Sequence, residues 1–274
     1  DNTWQILEQY QQNNNNVFIY KNEKNLGYVK NFEEGLKKTK GELIAMSDQD
    51  DIWLPEKLEL QEKNIDDAIL IYHDSALVDK NGEYLHKNIS SVINMYEGDN
   101  CLALIFDNCV SGHTILMKRE LLNFIFPFSK DTFHDGWIAF VALAIGKIKY
   151  LPNLLVQYRQ HEKSITDIST IKENKNQNRK TKRQLHSINQ KKEYQHIMMR
   201  LEQYNTFQNF KEQKNKKLIQ NLINAFEKKK KTYFVPQLFL LLFKNRKYIF
   251  FTRKKSKFKI FKTILRMVFF FKYN

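Results

Sequence analysis

A chain of 274 residues, 42% hydrophobic with 21 Phe but only 8 Gly and 4 Pro, has enough apolar mass for a packed core and is neither fibrous nor Pro-rich. Its two cysteines, Cys101 and Cys109, offer no disulfide framework and no zinc-ligand spacing, and they fit a reducing compartment. The net charge of +15 is unevenly placed: residues 1–164 hold 17 Lys/Arg against 24 Asp/Glu, and residues 165–274 hold 28 against 6, so the second part reads as facing a polyanion, either an anionic membrane surface or a nucleic acid.

In chain order, Trp4 to Gln12 carries apolar residues at near-helical spacing and reads as a helix. Val17-Phe18-Ile19-Tyr20 reads as a short strand, and Asn25-Leu26-Gly27 as a turn into a helix from about Tyr28 to Thr39. Gly41 breaks into the apolar run Leu43 to Met46, a buried strand that ends at Ser47-Asp48-Gln49-Asp50-Asp51-Ile52-Trp53. Pro55 suits a helical first turn, with the helix running to about Asp66. Ala68 to Tyr72 reads as a strand followed by His73-Asp74, and Val78 to Gly82 as a hairpin turn. Leu102 to Phe106 and Glu120 to Phe124 look helical, and Val110 to Met117 looks like a loop entering a strand. Gly136 to Ile145 reads as an apolar helix, and Ile148 to Tyr158 as a strand bent at Pro152. This alternation predicts an α/β layer with a mixed, mainly parallel sheet flanked by helices.

After Ile165 the character changes. Residues 166–190, rich in Lys, Asn and Gln, read as a linker or exposed helix, and 191–274 as a basic helical extension. Within it Phe258, Phe261, Leu265 and Val268 recur at helical spacing against Lys255, Lys259, Lys262 and Arg266, a basic amphipathic pattern. Tyr233 to Phe243, interrupted by Pro236 and Gln237, is too short to span a bilayer, and the opening residues show no secretion leader.

Three carboxylates within four residues behind a buried strand lie where open α/β sheets place ligands. Asp-x-Asp spacing suits a hard divalent cation that also touches phosphate, or else the carboxylates cap the next helix. Asp135, ahead of an apolar helix, reads on its own as an N-cap. A lone His161, or Arg159 on the surface, carries little by itself.

Taken together, Asn25-Leu26-Gly27 with Asn31, Ser47 to Trp53, Val110-Ser111-Gly112-His113-Thr114, His134-Asp135-Gly136-Trp137 and Tyr158-Arg159-Gln160-His161 resemble, in order and separation, the family 2 glycosyltransferases with the GT-A fold. The likeness is to the rhamnosyltransferase-like enzymes of bacterial surface polysaccharide synthesis, and it covers about residues 1–165. It implies an inverting transfer from a nucleotide-sugar donor to a glycan or lipid-linked acceptor. In it Asp48 and Asp50 hold Mn²⁺ or Mg²⁺ on the donor diphosphate, with Asp50 the direct ligand. Asp51 reaches the metal shell or the donor sugar, and His161 approaches the metal or diphosphate. Asp135 is the catalytic base that takes the acceptor's proton. Gly112 and His113 lie beneath the donor sugar, Asn25, Gly27 and Asn31 near the nucleotide base, and Arg159 beside phosphate oxygens. Trp53 reads as core and Trp137 as core or a sugar platform; His73 and Asp74 line the acceptor side or form a turn.

The resemblance also implies a departure. The family opens with an apolar strand and an Asp-Asp-Gly-Ser-x-Asp-like segment, of which Asp1-Asn2-Thr3 resembles the tail. Roughly one βα unit, on the order of 30 residues, is then missing, and the chain alone is expected to transfer sugar poorly. The expected placement is cytoplasmic, peripheral on the inner face of the plasma membrane. No nucleic-acid partner is expected, although a basic nucleic-acid module is the competing reading of the second part. A metal-dependent phospho- or nucleotidyltransferase also uses Asp-x-Asp, but no Gly-rich phosphate loop is visible.

Overall fold

The computed structural model describes residues 2–130, 132–160 and 179–270. Helix α1 (Thr3–Asn13) buries none of its side chains. Val17 to Tyr20, expected as a strand, joins no ladder, and Phe18 and Tyr20 are exposed. A strand needs a neighbour for its backbone N–H and C=O groups, and none of the described strands pairs with this segment. Helix α2 (Tyr28–Lys38) follows a turn in which Gly27 sits at φ +74°, a left-handed conformation open to glycine because it lacks a Cβ.

Then come β1 (Leu43–Ala45), β2 (Ile52–Trp53), α3 (Lys57–Asn64), β3 (Leu70–Val78), β4 (Tyr84–Asn88) and α4 (Ile89–Val92). They are followed by β5 (Leu116–Lys118), α5 (Leu122–Ile125), α6 (His134–Ile145) and β6 (Ile148–Arg159). The strands form one sheet in the order β1-β5-β3-β6-β2, with β4 beside β3. The sheet is mixed, as expected, but it is not mainly parallel: among the described strands only β3 and β6 run parallel, and the other pairings are antiparallel. Sequence alternation suggested helical crossovers throughout, but β2, β4 and β5 are short and enter from loops or a hairpin, which permits antiparallel pairing.

This topology positions the site. β1, β3 and β6 all run the same way, so their carboxyl ends share one edge of the sheet. β1 and β2 stand at opposite ends of the strand order, so the acidic loop, residues 46–51, must cross the sheet between them. Such a six-residue extended segment reaches about 20 Å, close to four strand spacings of about 4.8 Å each. The loop has enough length to cross the strand ends, with a turn at Gln49 and Asp50 inside it.

The second part is helical: α7 (Arg179–Thr206), α8 (Gln213–Lys231), α9 (Pro236–Lys244), α10 (Arg246–Ile249) and α11 (Lys257–Leu265), closed by a π turn at Arg266–Phe270. Of the expected linker, residues 166–178 lie outside the described residues and 179–190 belong to α7. One hydrophobic cluster runs from Val29 through α6 to Val268, so the helices share the core of the sheet layer. Phe140 on α6 stacks flat on Tyr204 of α7 at 3.8 Å and 4°. Trp137 joins the same stack, and its indole N–H donates to the Ile125 carbonyl, so it is a core residue. Arg253 adds ion pairs to Asp107 and Glu193.

Phe140 is fully buried at this junction. Phe140→Ala is expected to cost about 3–5 kcal/mol through lost transfer energy and the cavity left behind. Urea unfolding would show it as a lower midpoint, and an unchanged midpoint would contradict the shared core.

The face of α11 also differs from expectation. Thr263, Ile264, Met267 and Val268 are buried, whereas Phe258 is 64% exposed and Phe261 37%. Phe258, Ile260, Phe261, Ile264 and Leu265 fall on one side of this helix, opposite Lys259 and Lys262, and the core takes the Ile264 edge of that side while Phe258 and Phe261 stay at the surface.

Candidate active site

The acidic loop meets three elements at the strand ends. Oxygens of Asp48 and Asp51 and a ring nitrogen of His113 lie within 4.8 Å of one another. His113 follows Gly112 in a short 3-10 turn entering β5, and its side chain is almost wholly buried. Its Nδ1 stands 3.3 Å from Asp51 Oδ2 and 3.6 Å from Asp48 Oδ2. Its Nε2 is 2.9 Å from Ser75 Oγ on β3, and the ring packs on Tyr158 of β6. Asp51 Oδ1 accepts the Arg159 N–H, while Oδ2 is buried without a hydrogen bond. Burial raises the pKa of Asp51, and the nearby His113 opposes that rise.

When Ser75 accepts the Nε2 proton, Nδ1 is left as a lone pair aimed at two carboxylate oxygens. A proton shared between Asp51 and His113, or a bound cation, would offset the repulsion among three such atoms. Two carboxylates and an imidazole fit a divalent cation, and the nitrogen favours Mn²⁺ over Mg²⁺, which takes oxygen almost throughout.

The carboxylate that joins Asp48 here is Asp51; Asp50 is not in the group among the described residues. The Asp50 carbonyl instead accepts the Arg159 guanidinium, which also bonds the Lys80 carbonyl. Arg159, expected beside phosphate, thus ties the acidic loop to the β3–β4 turn. His161 lies outside the described residues.

Asp135 sits in the first turn of α6, whose N-cap is Phe133, so it is not the cap residue; its Oδ1 accepts the Gly136 N–H. Burial raises its pKa, opposed by His134 and by that N–H bond. His134 stacks on Phe32 at 4.4 Å, its ring nitrogens are buried without hydrogen bonds, and burial pushes its pKa down. Gly112 is the joint between the two carboxylate groups. A Cβ there would lie 3.3 Å from His134 Nε2 and 3.9 Å from Asp135 Cβ, while the next residue is His113 itself. A side chain at position 112 would therefore press on His134.

Asn25, Gly27 and Asn31, expected near a nucleotide base, line one open cleft of about 360 Å³ with Asn22, Lys24, Leu26 and Tyr28. Gly27 N–H donates to Asn25 Oδ1, and Asn22 donates to Asn31 Oδ1. His73 and Asp74 are buried inside β3 rather than at its end. Asp74 accepts the Ser75 and Ser90 N–H groups and the Asn88 amide, so its carboxylate anchors the β4–α4 corner.

Lys57 went unnoticed in the sequence because a lysine in an early helical turn reads as surface. It is 1% exposed, its Nζ makes no hydrogen bond, and it sits 3.3 Å from the centroid of the Trp53 ring. Burial lowers its pKa to about 7, with the charge of Asp51 opposing. Lysine ordinarily titrates near 10.4. The charged form therefore destabilises the fold in full below pH 7, and the penalty fades as pH rises toward the ordinary lysine value. Lys57→Met is expected to stabilise by about 1–3 kcal/mol at pH 6 and by almost nothing at pH 10.5. Urea midpoints at the two pH values check the sign.

Residues 1–126 match the family described as Glycosyl transferase family 2. An uncharacterized glycosyltransferase of Methanocaldococcus jannaschii is 34% identical over 162 residues, 57% of this chain and 54% of the relative. One of Nostoc sp. is 28% identical over 145 residues, 47% of this chain and 43% of the relative. The chain spans about half the length of the curated relatives it matches. Among solved structures, S. aureus TarS 1–349 in complex with UDP-GlcNAc aligns with a TM-score of 0.50 and 16% identity, covering 98% of this chain and 69% of TarS. At that identity the likeness speaks for the fold, a GT-A-like α/β arrangement with a mixed sheet and flanking helices. Residues 1–126, a little under half of the chain, thus resemble a glycosyl transferase family 2 domain.

Proposed function

We propose that the protein is an inverting, metal-dependent glycosyltransferase that moves a sugar from a nucleoside diphosphate to a hydroxyl of a lipid-linked glycan, in the assembly of a bacterial surface polysaccharide. The observation that carries this reading is the Gly112-His113 joint, which sets the Asp48/Asp51/His113 group beside the buried carboxylate of Asp135. Asp48, Asp51 and His113 would hold the cation. When bound, a divalent cation neutralises the charge that develops on a departing diphosphate. Asp135 takes the acceptor's proton while the acceptor oxygen bonds to the anomeric carbon and the sugar–phosphate bond breaks, its electron pair leaving with the diphosphate. A carboxylate whose pKa is raised by burial is a stronger base than one in water. The cleft of Asn25, Gly27 and Asn31 is the place proposed for the nucleotide base.

The basic helical part would hold the enzyme on the inner face of the membrane, where a lipid-linked acceptor lies. Among the described residues no helix is long and apolar enough to cross a bilayer, and the contact proposed is a peripheral one. The test is a screen of nucleotide sugars, UDP-GlcNAc first because TarS holds it, for release of nucleoside diphosphate with and without Mn²⁺. Metal-dependent release with at least one donor is expected. Release with none, together with no Mn²⁺-dependent binding of any donor, would refute the reading.

A further inference from the structure

The geometry points to one face of the helical part, made by α9 and α11 side by side, as the surface that lies in the headgroup region of an anionic bilayer. This inference rests on the peripheral-membrane reading above and names the face that carries it. Leu240 and Phe243 project from α9, and Phe258 and Phe261 from α11, and all four are exposed, at 51%, 36%, 64% and 37%. Phe239, Phe243 and Phe261 form a connected set of rings, with Phe243 6.3 Å from Phe261 and Phe239 against both, and Leu240 and Phe258 flank it on the same two helices. Exposed aliphatic and aromatic side chains occur singly on most surfaces, whereas a connected set marks a docking site.

Charge selects the occupant. From Lys228 to the last residue the sequence holds 15 Lys/Arg and no Asp or Glu. Several of these cations stand over the patch itself. The Arg246 guanidinium lies 4.2 Å from the centroid of Phe243, and Lys262 Nζ 4.5 Å from that of Phe258. Lys244 and Lys259, next to Phe243 and Phe258, are exposed. Rings and cations at one level, with no acidic residue among them, match an anionic lipid interface: the rings enter the acyl boundary and the cations stay among the phosphates. A protein partner would need polar groups able to pair with this face, and a nucleic acid would leave its most exposed aliphatic residue, Leu240, without a partner. The burial on α11 supports the same choice, because Ile264, Met267 and Val268 already supply the core and leave Phe258 and Phe261 outward.

The test is co-sedimentation of the protein with vesicles of phosphatidylcholine alone and with about 30 mol% phosphatidylglycerol, each at low and high salt. Binding is expected only to the anionic vesicles, weakening with salt. Leu240→Ser with Phe258→Ser, at the two most exposed positions, is expected to lower partitioning at least tenfold. Lys262→Gln is expected to lower it about fivefold. None of these changes should alter Mn²⁺-dependent donor hydrolysis in the absence of lipid, which also shows that the variants fold. Anionic binding by the parent that the serine variant retains in full would overturn this face while leaving the peripheral reading intact. Parent protein that ignores anionic vesicles would overturn both. Retention by single-stranded DNA without vesicle binding would assign the face to nucleic acid and overturn it as well. Self-association that disappears in the serine variant, with no vesicle binding, would make the patch a dimer contact.

Discussion

Asp135→Asn is expected to lower kcat for sugar transfer by about 10²–10⁴-fold, the usual contribution of a positioned base. The amide keeps the shape of the side chain and can still accept the Gly136 N–H, so the first turn of α6 should stay as it is. What the variant loses is the site for the acceptor's proton. KM for the donor and affinity for Mn²⁺ should change little, because the metal group is built from Asp48, Asp51 and His113. The pH profile gives a second readout. Burial holds the Asp135 pKa above the ordinary carboxylate range, and a base works only when ionised. Activity should therefore fall as pH drops through that raised pKa, and this acid limb should vanish in whatever activity the Asp135→Asn variant retains. Stability should move the other way. A raised folded pKa means the fold prefers the protonated acid, so at neutral pH the variant should unfold at the same urea concentration as the parent or a higher one. Comparable kcat in parent and variant would remove Asp135 from the base role.

Asp51→Ala is expected to weaken Mn²⁺ binding by on the order of 10²-fold or more and to abolish transfer, whereas Asp50→Ala should leave the metal affinity within a few-fold of the parent. The family resemblance implied the direct-ligand role for Asp50; the proposal here gives it to Asp51, which stands with Asp48 and His113. The Asp51 side chain is fully buried, takes the Arg159 N–H on one oxygen and presents the other, without a hydrogen bond, to His113. The Asp50 contribution is a main-chain carbonyl held by the Arg159 guanidinium. Titration of Mn²⁺ by electron paramagnetic resonance separates the two without reference to turnover. Loss of binding in the Asp50 variant with full binding in the Asp51 variant would restore the Asp-x-Asp assignment.

How much of this was legible in the sequence differs by element. The buried run Leu43 to Met46, the apolar helix at 136–145 and the strand bent at Pro152 follow from local periodicity, and the structure places them at β1, α6 and β6. The acidic cluster at the carboxyl end of a strand also follows from the pattern, since β1 ends at the loop that holds it. Pairing direction was not legible. It depends on which strand lies beside which, and the short β2 and β5 carry too little periodicity to show it. Val17 to Tyr20 has strand composition yet no ladder, because composition does not supply a neighbour.

The sequence by itself determined the chemistry on offer: a cluster of carboxylates behind a buried strand, an Asp ahead of an apolar helix, a histidine after a glycine, and a basic half without acidic residues after Glu227. Those follow from residue type and spacing. Only the tertiary structure decided which of them meet. His113 reaches Asp48 and Asp51 because the acidic loop must cross from one end of the sheet to the other, over the entrance to β5. Ser75 reaches His113 because β3 lies next to β5, and Lys57 is buried because α3 packs on β3. Phe258 and Phe261 face outward because Ile264 and Met267 fill the core first. Each of these is a contact between residues far apart in the chain, and such contacts are set by packing and strand order, which local spacing does not encode.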